Sequence, residues 1–131
     1  MNSPSNTIPT TKVFLADGSR VGISRVMNLL SIAANVEVIG TAQNAAQTIE
    51  GVRNLRPQVL IMDIELPGMS GIQVLKTLKS EFPTMLVIVL TNASQEEYRK
   101  RCMEAGAKYF FDKALEFWKV TDILAPPPFP H

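Results

Sequence analysis

Val59-Leu60-Ile61-Met62-Asp63-Ile64-Glu65-Leu66-Pro67-Gly68-Met69-Ser70-Gly71 opens with four uninterrupted apolar residues that end at a carboxylate. Four is too few for a buried helix. A strand with one face in water alternates apolar and polar residues, whereas a continuous run is how a strand covered on both faces of a parallel sheet reads. Three runs of the same character lie around it, Val13–Ala16, Val36–Gly40 and Leu86–Leu90, and a shorter aromatic one follows at Tyr109–Phe111.

Between the runs lie stretches of helical length. Ser19–Ala34 carries Val21, Ile23, Val26, Met27, Leu29, Leu30 and Ile32. Ala45–Leu55 puts Ala46, Ile49, Val52 and Leu55 on one stripe, and Ser70–Phe82 carries Ile72, Val74, Leu75, Leu78 and Phe82. Ser94–Ala105 begins Ser-Gln-Glu-Glu, an N-cap signature with Glu97 at the capping-box position, and Gly106 is placed to cap its end. Leu115–Leu124 reads as a last helix, stopped by Pro126-Pro127-Pro128. Strand and helix thus alternate five times at intervals of roughly 25 residues, the pattern of an α/β protein with a parallel sheet. Right-handed crossovers leave few topologies. The expected one is a flavodoxin-like (βα)5 three-layer sandwich whose five-stranded sheet has the order 2-1-3-4-5.

At 131 residues the chain fits one domain, with the folded core expected over 12–124 between a disordered tail at 1–11 and a Pro-rich tail at 125–131. With a net charge of +1, nothing steers it toward nucleic acid or a membrane, and Arg99-Lys100-Arg101 reads as a solvated helix face. The longest aliphatic run, Met85–Leu90, is far too short for a bilayer, and 1–11 lacks the basic and apolar regions of a secretory signal. A lone Cys102, read as a partly buried helix residue, and a lone His131 exclude internal disulfides, zinc sites and catalytic triads; the cysteine suits a reducing cytoplasm.

In an open parallel sheet the ligand site lies beyond the carboxyl ends of the strands. Asp17 follows the first run, Asp63 the third, Thr91 the fourth and Lys113 the fifth, so four polar residues spread along the chain face one crevice. Each alone is an ordinary turn or cap residue. Together they suit phosphate and metal chemistry. Two carboxylates hold a hard cation such as magnesium, an aspartate can become an acyl phosphate, and an ammonium and a hydroxyl stabilise phosphoryl oxygens.

On these residues the chain resembles the receiver domains of bacterial two-component response regulators. The 59–71 stretch is similar to that family's phosphorylation-site segment, with Asp63, Pro67 four residues on and Gly71 opening the next helix. Leu90-Thr91-Asn92 resembles its switch-threonine segment, and Glu104–Ala107 with Phe110–Lys113 resembles the segment leading to its lysine. The resemblance covers about residues 12–124. It implies that Asp63 accepts the phosphoryl group, with Asp17, Asp63 and the Glu65 backbone carbonyl as Mg2+ ligands. It further implies that Lys113 pairs with the phosphoryl group through an exposed tip, that Thr91 moves to bond it, and that Phe110 swings inward with Thr91. Read by itself, Phe110 is a plain core aromatic.

The implied function is a stand-alone, non-enzymatic signalling domain in the cytoplasm. A sensor histidine kinase or phosphotransfer protein would charge it, and output would pass to a protein partner. The face of the fourth helix, fifth strand and fifth helix, near Tyr98, Arg99, Arg101, Phe117 and Trp118, is where the resemblance puts that partner. Three departures from the family pattern stand out. Ala16 occupies the place of a second acid before Asp17, Ala114 rather than proline follows Lys113, with a trans bond expected, and Asn92 is larger than the residue usual after the threonine. Ala16 sustains a second reading, a pseudo-receiver that keeps the fold as a constitutive interaction module without phosphorylation. A flavin or nucleotide enzyme on this fold would need a glycine-rich loop after the first strand, and Asp17-Gly18-Ser19 is only a turn with an N-cap.

Overall fold

The computed structural model describes residues 10–124. The strands are β1 Thr11–Ala16, β2 Val36–Ala42, β3 Val59–Met62, β4 Leu86–Thr91 and β5 Tyr109–Asp112. The helices are α1 Arg20–Leu30, α2 Ala45–Leu55, α3 Gly71–Glu81, α4 Glu96–Glu104 and α5 Lys119–Leu124. The strands form one sheet in the order β2-β1-β3-β4-β5, and every pairing is parallel. This is the flavodoxin-like order expected from the rhythm of the chain.

The pleat sends alternate residues of each central strand into different layers. Phe14, Ala16, Leu60, Met62, Val87 and Val89 pack with α2, α3 and Cys102 of α4. Val13, Leu15, Val59, Ile61, Ile88 and Leu90 pack with α1 and α5. Both sides of β3 are buried, which is why its sequence does not alternate. Truncating a residue such as Leu60, with no exposed surface, would cost about 2–5 kcal/mol.

Several local expectations give way to tertiary contacts. On α2 the buried residues are Ala45, Thr48 and Val52, with Ala46 and Leu55 exposed, so the stripe is rotated from the expected one. α1 ends at Leu30, and Val21 and Ile32 face outward. α4 starts at Glu96 after Gln95, which makes no side-chain cap bond; the Ser94 hydroxyl is instead spent on Asp112. Its far end is closed as expected, with Gly106 N–H donating to Met103 and Ala107 N–H to Cys102, a Schellman motif. The last helix, Lys119–Leu124, is much shorter than Leu115–Leu124, with residues 113–118 in turns that follow Asp112. Cys102 is fully buried, and burial pushes its thiol up to about 11. No helix among the described residues is long and apolar enough to cross a membrane. Most of the expected N-terminal tail and all of the Pro-rich C-terminal one lie outside the described residues.

Candidate functional site at the carboxyl end of the sheet

β1 and β3 are neighbours, so their ends deliver Asp17 and Asp63 side by side. The Asp63 amide donates to the Ala16 carbonyl at 2.9 Å, and that of Asp17 to Ala42 at 3.0 Å. The two residues are 4% and 8% exposed, burial that a carboxylate tolerates only when it is paired. Asp17 Oδ1 accepts the Ser19 amide at 2.8 Å, and Ser19 in turn caps α1. Asp63 Oδ1 accepts the Glu65 amide at 2.8 Å and the Thr91 hydroxyl at 2.7 Å. The chain after Asp63 folds tightly back onto α3. A Cβ on Gly71 would stand 2.4 Å from the Ile64 backbone, so the helix can begin there only with glycine.

Lys113, carried past the end of β5, reaches back over the crevice. Its ammonium lies 2.7 Å from Asp17 Oδ2 and 2.6 Å from Asp63 Oδ2. Burial alone would lower the lysine pKa, but the two carboxylates outweigh it and hold it above the ordinary value. With its side chain 13% exposed, this is no free surface tip, which corrects that expectation. The crevice keeps one net negative charge: two carboxylates against one ammonium.

Those donors suit magnesium. The oxygen ligands are hard, and a cation already bridges the two carboxylates. The third acid is wanting. Among the described residues no three acidic, histidine or cysteine side chains converge on a cation position, and Ala16 points into the core, 2% exposed.

Thr91 already touches the carboxylate, so its hydroxyl need not travel to reach Asp63. Phe110 is 4% exposed and packed in the α2–α4 side core with Tyr98 against that cluster, while Asn92 is exposed. The described peptide bonds are all trans, including Lys113–Ala114. The expected output face spans both layers across the edge strand β5. Arg99 donates to the Phe110 carbonyl at 3.2 Å on the α4 side, and Phe117 belongs to the α1 and α5 layer, with Arg25 over its ring at 4.8 Å. Sequence reasoning missed Ser94 and Asp112, which tie the loops bearing Thr91 and Lys113 together. It also missed Gly22, whose absent side chain makes room for the Asp17 carboxylate. A glycine inside a helix is itself a signal, because it costs stability unless something needs the space.

A parallel sheet of this order, with carboxylates, a hydroxyl and an ammonium gathered at its switch point, defines a flavodoxin-like signalling domain of the receiver class. The chain belongs to the response regulator receiver domain family, whose model matches residues 13–125. It is 30% identical over 99 residues to the DNA-binding transcriptional activator EvgA of Escherichia coli K12, covering 76% of this chain and 48% of EvgA. It is 34% identical over 119 residues to a protein-glutamate methylesterase/protein-glutamine glutaminase of Halalkalibacterium halodurans, covering 86% of this chain and 34% of that protein. The chain thus spans about half or less of these relatives. The signal receiver domain of the putative response regulator NarL from Mycobacterium tuberculosis superposes with a TM-score of 0.79 at 24% identity, over 92% of this chain and 100% of that one.

Proposed function

We propose that this receiver domain takes a phosphoryl group on Asp63 from a histidine kinase or phosphotransfer protein and signals by protein–protein contact. The observation that carries the reading is the convergence of Lys113 and Thr91 on the two oxygens of one buried aspartate. In the transfer an Asp63 oxygen forms the new P–O bond as the P–N bond to the donor histidine breaks, and the imidazole leaves with a proton. Lys113 stands beside both the attacking oxygen and the oxygens that gain charge, where a fixed ammonium stabilises the transition state. Thr91, now bonded to Oδ1, donates to a phosphoryl oxygen once Asp63 is phosphorylated. Asp17, Asp63 and the Glu65 carbonyl would hold Mg2+, which when bound neutralises phosphoryl charge. The domain itself turns over no substrate, and its own contacts are with proteins rather than nucleic acid. The partner surface lies on α4, β5 and α5.

One observation favours the second reading. The Lys113 ammonium bridges both carboxylates, an arrangement that also serves as a structural ion-pair triad. Intact mass after incubation with acetyl phosphate and Mg2+ separates the two. A gain of one phosphoryl group, lost in Asp63→Asn, supports phosphorylation. An unchanged mass, or labelling that survives in Asp63→Asn, rejects it.

A further inference from the structure

The residue directly before Lys113 is the hub of its loop. Asp112 Oδ1 accepts the amides of Ala114 at 2.8 Å and Leu115 at 2.9 Å, while Oδ2 accepts the Ser94 hydroxyl. Its own amide donates to the Glu116 carboxylate at 3.0 Å, and its carbonyl accepts the Glu116 amide at 2.8 Å. An aspartate that accepts the amides two and three residues on closes a compact turn and fixes the backbone between them. Residues 113–118 are turns, and the helix proper begins at Lys119. Ser94, at the other end of this contact, lies in the loop after Thr91, where the Ala93 amide donates to the Thr91 hydroxyl at 3.1 Å. Lys113 N–H also donates to the Thr91 carbonyl at 2.9 Å.

A lysine has a long flexible stem, and its ammonium is a point charge without a preset direction. Reaching two carboxylates at once requires its backbone to be held, and nothing in Lys113-Ala114 does so intrinsically. We propose that Asp112 is the positioning residue for Lys113, fixing its backbone through the turn and tying it through Ser94 to the loop of Thr91. Ammonium and hydroxyl then meet Asp63 as one unit. The effect on phosphoryl transfer rests on the function proposed above; the effect on where Lys113 sits does not.

Two measurements test this on the full chain. In the first, amines are acetylated with an N-hydroxysuccinimide ester and each lysine is followed by peptide mass. Lys113 should react more slowly than exposed Lys12, Lys76 and Lys108. Asp112→Ala should raise its relative rate severalfold, Ser94→Ala should raise it less, and Asp112→Asn, whose amide oxygen still accepts both N–H groups, should stay near wild type. The exposed lysines keep their rates if the fold is intact, and should Asp112→Ala unfold, Ser94→Ala carries the comparison. In the second, acetyl phosphate labelling of Asp63 should slow about tenfold in Asp112→Ala but not further when Lys113→Ala is already present. Unchanged acetylation of Lys113 in a folded Asp112→Ala or Ser94→Ala variant overturns the proposal, as does equal slowing with and without Lys113. A wild type that takes no phosphoryl group would reject the phosphorylation reading alone, and acetylation would still decide the role of Asp112.

Discussion

Thr91 donates its hydroxyl to Oδ1 of Asp63 at 2.7 Å, and solvent barely reaches either residue. A buried carboxylate oxygen that loses such a donor keeps its desolvation penalty. Thr91→Val preserves shape and removes only the hydroxyl, so it should lower stability by about 2 kcal/mol in urea unfolding. Thr91→Ser should stay within about 1 kcal/mol of wild type and retain acetyl phosphate labelling. Equal stability of Thr91→Val and wild type would mean that the bond contributes nothing net.

Lys113 makes a comparable statement about charge. Lys113→Ala leaves Asp17 and Asp63 facing each other without a cation, a loss of about 3 kcal/mol for a broken buried pair. Magnesium should recover part of it, stabilising the variant more than wild type, because the metal supplies the missing positive charge. Thermal shifts with and without Mg2+ read this directly, and a loss within about 0.5 kcal/mol would mark the lysine as energetically idle.

The same contact sets an alkaline limit. The folded-state pKa of Lys113 is raised, so its contribution is fully present below the unfolded lysine pKa of about 10.4. It is lost as pH climbs through the folded value. Wild type should therefore lose stability above about pH 10.4 more steeply than Lys113→Ala, in which the group is absent. Parallel pH profiles of the two proteins would contradict the assignment.

Ala16 is 2% exposed and lies in the core cluster with Ala42 and Met62. A carboxylate there faces burial as well as repulsion from Asp17 and Asp63. Ala16→Asp should cost about 1–3 kcal/mol without metal and bind Mg2+ several-fold more tightly, a gain of about 1 kcal/mol by calorimetry. Equal affinity in both proteins would show that position 16 does not reach the metal.

Gly22 lies in the first turn of α1, and a Cβ there would stand 2.4 Å from Asp17 Oδ2. Alanine in a helix ordinarily gains up to about 1 kcal/mol over glycine. Here it must turn the carboxylate away from Lys113, so Gly22→Ala should bring no net stability and should slow acetyl phosphate labelling. A variant stabilised by the full helical preference with unchanged labelling would mean that Asp17 relaxes freely.

The layered sheet was legible in the chain because each central strand is buried on both faces, and burial leaves continuous apolar runs such as Val59–Met62. Strand ends in such a sheet must converge, so Asp17, Asp63, Thr91 and Lys113 could be placed on one crevice before any coordinates. The helix boundaries near the site were different. Ser94 has the local pattern of an N-cap, but Asp112 takes its hydroxyl instead, and the last helix begins at Lys119 rather than Leu115. A hydroxyl or carboxylate serves whichever partner folding brings within reach, and Ser94 and Asp112 are 18 positions apart, beyond the span of any helical or strand period. The bridging of two carboxylates by one ammonium, and the room for Asp17 over Gly22, are likewise distances between elements. Residue type determined what those groups could do, and only the packing of β1, β3, β5 and α1 decided which of them touch.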